Sequence, residues 1–407
     1  MIRYTWAALA FLASPAAAEQ YRIVGGLPAP MITVQEGDTL VSAKPLVEKI
    51  ATDGTLTRRF PVWIDRAKPA PANGFQITAE GLRLVGFEPG NGYVYAVVSA
   101  PAKAANATRF GVNLSGCEFG NNTALCPTTA DIDTYIAKGF TLIRLPVKDV
   151  HLRGANLSKI AALVAYAQGK GAQVILDRHD YTRHSAADAW AFWRNVVPSF
   201  SPDTLIELAN EPVKGYPAGS NFWLVSAQDT KDTVALFRAN GVTNPILYGS
   251  PGYSSTYRFT KPGGSRAAPV GMGDAIDNVG GIIDPLNKTY FSGHKYFDKG
   301  GSGTSSTCTD TGDAGIATWA AGMRKRGIKG YLTEFAWGRH NGIPASCRAV
   351  GDAVMAAVKA NSDVILGTTA WGGGRAWGES YTYKVEPKKG TFATAPPSPY
   401  LVKLTGR

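Results

Sequence analysis

Two patterns of apolar and polar positions divide the chain. Over residues 19–104, segments such as GFQIT, LRLVGF and YVYAVV alternate or cluster β-formers between Gly, Pro and Asn turns, which predicts a small β-sandwich-like domain. From Arg109 onward a short apolar run rich in β-branched residues, a turn and an amphipathic helical stretch follow one another repeatedly. That rhythm predicts an α/β domain with a parallel sheet, because each strand must return over a crossover helix. The runs RFGVNLS, TLIRLPV, AQVILDRH, TLIELANEP, PILYGS, YFSGHKYF, IKGYLTE and VILGTTAW are the candidate strands. Their number is the one that closes a (β/α)8 TIM barrel. The expected organisation is therefore a β-rich module at 19–104 and a barrel domain at 105–407, joined through the stretch PAKAANAT.

The first eighteen residues change the compartment rather than the fold. Arg3 precedes an apolar stretch from Trp6 to Ala13, and Ala16, Ala17 and Ala18 supply a small-residue cleavage site. This is the pattern of a signal peptide at 1–18, too short to span a bilayer. A secreted product, periplasmic or extracellular, with no membrane span is expected. Export places the four cysteines in an oxidising environment, and an even number there implies disulfides. Three pairings are open. Cys117 with Cys126 closes a short loop, and Cys308 with Cys347 braces a loop against a helix following Pro344. No CxxC, HExxH or histidine cluster occurs, so no metal site and no cofactor is expected.

The formal net charge of +11 raises the question of nucleic acid. The basic residues are scattered, however, and the one tight cluster, Arg324, Lys325 and Arg326, falls where a helix ends and cations suit the dipole. No nucleic-acid partner is expected, and the protein is expected to act as a monomer. In the N-terminal module only Trp63 represents tryptophan, so a spacer role is the default, with sugar binding through Tyr93 or Tyr95 as the alternative.

In a barrel of this type the chemistry sits at the C-terminal ends of the strands. The fourth run ends in Asn210, Glu211 and Pro212, and the seventh in Glu334. A lone glutamate is ordinarily a solvated charge, but two at one mouth suit glycosidic hydrolysis, where one carboxyl protonates the leaving oxygen and the other attacks or activates water. Glu207, inside the fourth run, reads as a structural partner. Other strand ends carry Arg144, His179, His294, Tyr296 and Trp371. Arginine and tyrosine can hold a carboxylate aimed, histidines can bond sugar hydroxyls, and tryptophan offers a flat face to a pyranose. Asp177 and Arg178 read as a structural ion pair. No GxSxG nucleophile elbow occurs, which argues against a serine esterase.

The ordered series GVNLSG, CEFG, RLPV, DRHDYTR, ANEP, HKYFD, SGTSSTC, LTEFAWG and TAWGGG covers nearly all of residues 109 to 385. It resembles glycoside hydrolase family 5, in particular its secreted endo-β-1,4-glucanases. The resemblance implies a retaining mechanism with Glu211 as acid/base and Glu334 as nucleophile. It also implies contacts to substrate or carboxylate from Arg144, His179, Asn210, His294, Tyr296 and Trp371, with a β-glucan polysaccharide as partner. The chain departs from the pattern at Asp180, where asparagine is common, at Val213, where histidine often follows NEP, and at Tyr253, near a position expected to hold a stacking tryptophan. The alternatives are the same chemistry on mannan, xyloglucan or β-1,3-glucan, and a non-catalytic polysaccharide-binding protein on the same barrel.

Overall fold

The structure, a computed structural model, describes residues 108–261, 271–387 and 392–405, together with the backbone of five strands nearer the N-terminus. The chain divides into two compact units, Met1–Ala105 and Asn106–Arg407. In the first, β1 (Gln20–Val24), β2 (Leu46–Ile50) and β3 (Leu56–Pro61) form an antiparallel sheet. A separate hairpin joins β4 (Phe75–Thr78) to β5 (Gly81–Leu84). The expected signal peptide, residues 101–107 of the linker, Trp63, Tyr93 and Tyr95 lie outside the described residues.

The second unit is a closed barrel of eight parallel strands. These are β6 (Arg109–Leu114), β7 (Leu142–Val147), β8 (Gln173–Arg178), β9 (Leu205–Glu207), β10 (Ile246–Tyr248), β11 (Thr289–Tyr296), β12 (Lys329–Ala336) and β13 (Ile365–Gly373). Each lies within, or overlaps, one of the eight runs marked in the sequence. The strands are buried on both faces because helices cover the outside, which is why they read as apolar runs without strict alternation.

Period-two geometry nevertheless sorts their side chains. Inward, Leu142, Ile175, Leu205, Leu247 and Tyr331 form an apolar floor. Two residues further along, the inward positions turn polar: Arg144, Asp177, Glu207 and Thr333 are all fully buried. Outward, Ile143, Leu145, Val174, Leu176, Ile206, Phe291 and Leu332 join one continuous cluster with helix residues such as Ile160, Val164, Trp193, Phe237, Trp319 and Val354. Each such side chain contributes about 1.5–3 kcal/mol by leaving water, so the outer shell holds the barrel closed around its charged interior.

The helix Ala345–Ala360 shows how the shell is encoded. Its buried residues Cys347, Val350, Gly351, Val354, Met355 and Val358 recur at the three- and four-residue spacing of one helical face. Cys347, in the first turn, is bonded to Cys308, and Cys117 is bonded to Cys126. Both expected disulfides are thus present, one closing the loop after β6 and the other tying the loop after β11 to this helix. The basic cluster is also accounted for. Arg324 ends the helix Ile316–Arg324 and pairs with Asp363, while Arg326 pairs with Asp274 and Asp277. Among the described residues no helix is long and apolar enough to cross a membrane.

Candidate active site

Arg144 organises the barrel interior. Its guanidinium is fully buried and meets three carboxylates: Glu207 with Nε at 2.7 Å, Glu334 with Nη1 at 2.7 Å and Asp177 with Nη2 at 3.0 Å. Asn113 accepts a further bond from Nη1 at 2.9 Å, and Asn210 one from Nη2 at 2.6 Å. Burial alone disfavours the cation, yet Asp177, Glu207 and Glu334 together raise its pKa well above the ordinary arginine value. One positive charge therefore balances several negative ones in a low-dielectric interior, and the acids around it must share protons. Burial pushes Asp177 up to about 7 against the pull of Arg144, and burial raises Glu207 as well.

Glu334 stands near the end of β12, 5% exposed. Its Oε1 accepts from Arg144, and its Oε2 accepts from the Tyr296 hydroxyl at 3.0 Å. Both oxygens are thereby aimed. Tyr296 itself is held by Tyr383, whose ring stacks on it at 6.0 Å. Glu211 lies past the end of β9, and its Oε1 is 2.7 Å from His294 Nδ1. The register of β11 against β12 shifts between Gly293 and His294. Such an irregularity re-aims a side chain next to a site, and here His294 Nδ1 also comes within 3.6 Å of Glu334.

Carboxylate oxygens of Glu211 and Glu334 and a ring nitrogen of His294 all lie within 4.8 Å of one another. The Glu211 pKa is pushed up to about 7, chiefly by burial, with His179 and Arg144 opposing the rise. Burial depresses His294 to about 4. The imidazole is therefore neutral at neutral pH and shares one hydrogen bond with Glu211, accepting when the glutamic acid is protonated and donating when it is not. Three potential ligand atoms this close also suit a cation, but Glu334 already faces the guanidinium of Arg144, which opposes a second positive charge.

The other sequence candidates gather around this pair. His179 bonds Asp177 through Nδ1 at 2.7 Å and stacks on Trp371 with ring centres 5.8 Å apart. Trp377 stands edge-on to Trp371 and lies flat on Tyr381 at 3.8 Å, extending an aromatic wall from the end of β13. Arg144, His179, Asn210, Glu211, His294, Tyr296, Glu334 and Trp371 are thus brought to one mouth.

One expectation needs correction. Asp177 and Arg178 do not pair, because successive strand residues point to opposite faces. Asp177 faces inward to Arg144 and His179, whereas Arg178 faces outward, bonds Asp149 at 2.6 and 2.8 Å and lies over the Phe192 ring. His294, expected to contact substrate or carboxylate, directs Nδ1 at the two glutamates. The sequence reading also missed Asn113, Ser292 and Thr333, which complete the polar layer. Ser292 donates to Glu207 Oε1 at 2.5 Å, and Asn113 Nδ2 donates to the Thr333 carbonyl at 2.8 Å. Strand parity was the available signal, since Asn113 pairs in register with Arg144.

A (β/α)8 barrel carrying two adjacent carboxyls at its C-terminal mouth, one paired with arginine and one held near neutrality, beside an aromatic wall, defines the class as glycoside hydrolase. The sequence pattern described as Cellulase (glycosyl hydrolase family 5) matches residues 102–374, a span containing all eight barrel strands. The chain belongs to that family. It is 28% identical over 318 residues to endo-beta-1,4-glucanase B of Emericella nidulans, covering 72% of this chain and 90% of the relative. Among solved structures, an endo-beta-1,4-glucanase of Xanthomonas axonopodis pv. citri aligns with 26% identity and a TM-score of 0.61, covering 74% of this chain and 98% of the other. XacCel5A in complex with cellopentaose aligns with 26% identity, a TM-score of 0.61, and 74% and 99% coverage.

Proposed function

We propose that this protein is an exported, retaining endo-β-1,4-glucanase in which Glu334 is the nucleophile and Glu211 the acid/base. The separation of the two carboxyls carries the reading. One oxygen of each lies within 4.8 Å of the other, which suits the roughly 5–5.5 Å spacing of retaining enzymes better than the roughly 6.5–9.5 Å of inverting ones.

In the first step Glu334 attacks the anomeric carbon while the glycosidic C–O bond breaks and the Glu211 proton passes to the departing oxygen. A glycosyl ester on Glu334 results. In the second step Glu211, now a carboxylate, takes a proton from water as that water attacks the same carbon, and Glu334 leaves. The assignment follows the electrostatics: a nucleophile gains from the arginine and tyrosine that bond and aim both oxygens of Glu334, and an acid gains from burial that raises Glu211 to about 7. Asn210, anchored to Arg144, is placed to bond the 2-hydroxyl of the attacked sugar. Trp371 and Trp377 offer pyranose platforms. Every group the reaction needs comes from one chain, so a monomer suffices. The β-1,4-glucan preference is supported by the glucanase relatives. Export is supported by the two disulfides and the N-terminal pattern.

Azide rescue tests the assignment. Glu334→Ala with added azide gives an α-glycosyl azide, because azide takes the place of the lost carboxylate. Glu211→Ala gives the β-azide, since azide attacks the glycosyl ester without a general base. Product NMR showing an α-azide from Glu211→Ala, or net inversion by the unaltered enzyme, overturns the roles.

A further inference from the structure

We propose that Asp180 and His184 form a hydrogen-bonded clamp that positions the acid/base segment, so that their contact governs proton delivery by Glu211 without touching substrate. The inference rests on the acid/base reading of Glu211.

Strands β8 and β9 stop at Arg178 and Glu207, but their chains continue side by side. Asn210 N bonds Arg178 O at 3.1 Å, Glu211 N bonds Asp180 O at 3.1 Å, Val213 N bonds Tyr181 O at 3.0 Å, and Arg183 N bonds Lys214 O at 2.8 Å. The backbone of Glu211 thus hangs directly on the segment Asp180–Arg183. That segment is shaped by one side chain. Asp180 Oδ1 accepts from Thr182 N at 2.8 Å, and Oδ2 accepts from His184 Nε2 at 2.7 Å. Both side chains are about one-fifth exposed, at 22% and 17%. Burial works against the Asp180 charge, yet the bond and charge of His184 hold its carboxyl well below the usual range. Next to it, Arg183 bonds Asp229 on the helix Phe222–Ala239 at 2.6 and 3.0 Å, which fixes the outer end of the segment.

Packing behind the acid/base is incomplete. Ala209 and Pro212, on either side of Asn210 and Glu211, line a cavity of about 40 Å³ shared with Arg183, His184, Tyr216 and Tyr248. On that side Ser254 Oγ donates to Asn210 O at 2.7 Å and the Tyr216 hydroxyl to Pro212 O at 2.8 Å, so the stretch is held by hydrogen bonds beside an incompletely filled space. Backbone bonds to the segment Asp180–Arg183 hold it from the side. His294 fixes the Glu211 carboxyl from the other side at 2.7 Å, so slackening the loop moves the carboxyl relative to a fixed imidazole and nucleophile.

Leaving-group dependence separates this role from a general loss of structure. A displaced acid slows only the step that needs a proton, and a misplacement of about 1 Å costs up to about 100-fold. For His184→Ala and Asp180→Ala, kcat on cello-oligosaccharides is expected to fall about 10-fold or more, while turnover of 2,4-dinitrophenyl cellobioside in its glycosylation step changes less than about twofold, with KM unchanged on both. His184→Gln, which keeps a donor toward Asp180, should recover part of the loss. Equal losses on the two substrates, or full activity of His184→Ala on cello-oligosaccharides, overturn the clamp. Glu211→Gln serves as the control. If it too loses both activities equally, the acid/base reading fails rather than the clamp.

Discussion

Replacing Arg144 by methionine, which keeps an unbranched side chain without the charge, strips the barrel interior of its one central cation. Three carboxylates lie against that cation at 2.7–3.0 Å with side chains 0–6% exposed, so solvent screens the loss very little. Breaking a buried ion pair by removing one partner costs about 3–5 kcal/mol, because the remaining charge is left uncompensated. With three partners orphaned the loss should sit at or above the top of that range near neutral pH, set against a total stability of about 5–15 kcal/mol. The sign of the pH dependence follows from proton binding. Without Arg144, which lowers both, the folded-state pKa values of Asp177 and Glu207 rise further, so the folded variant binds more protons than the unfolded chain, and its stability falls as pH increases. Urea unfolding followed by tryptophan fluorescence at pH 5 and pH 7.5 should therefore show a smaller penalty at the acid value. A penalty below about 1 kcal/mol, or one equal at both pH values, would refute the view that Arg144 balances this cluster.

If Glu211, raised to about 7 by burial, is the proposed acid, kcat/KM on polymer should decline above about pH 7 by tenfold per unit, and a basic limb unchanged in Glu211→Gln would contradict this. Cys347→Ser opens the bond to Cys308 across 39 residues and should cost about 2–5 kcal/mol by calorimetry while kcat is retained; a loss of activity in the still-folded variant would show that the bond shapes the site. A chain beginning at Asn106, where the second compact unit starts, should fold and release reducing sugar from soluble β-glucan, and its failure to do so would make residues 19–104 part of the catalytic fold.

The barrel was legible because its signal is local and repeated. Each strand declares itself by an apolar run and each helix by its spacing, and the number of runs settles closure. Glu211 and Glu334 were legible for a related reason: in a parallel barrel, residues following strands share one face, however far apart they are in sequence. Pairing between side chains was not legible in the same way. Asp177 beside Arg178 invites an ion pair by adjacency, but the pleat sends the two to opposite faces, and Arg144, 33 positions earlier, claims the aspartate. His294 was expected at substrate or carboxylate, and the register shift before it goes with an Nδ1 turned to the glutamates. The sequence by itself determined the elements, their order and the chemical inventory of the mouth, all carried by patterns within a few residues. Tertiary structure alone decided which carboxyl meets the arginine and which has its proton affinity raised by burial, because both depend on the few ångströms between groups that only the closed barrel brings together.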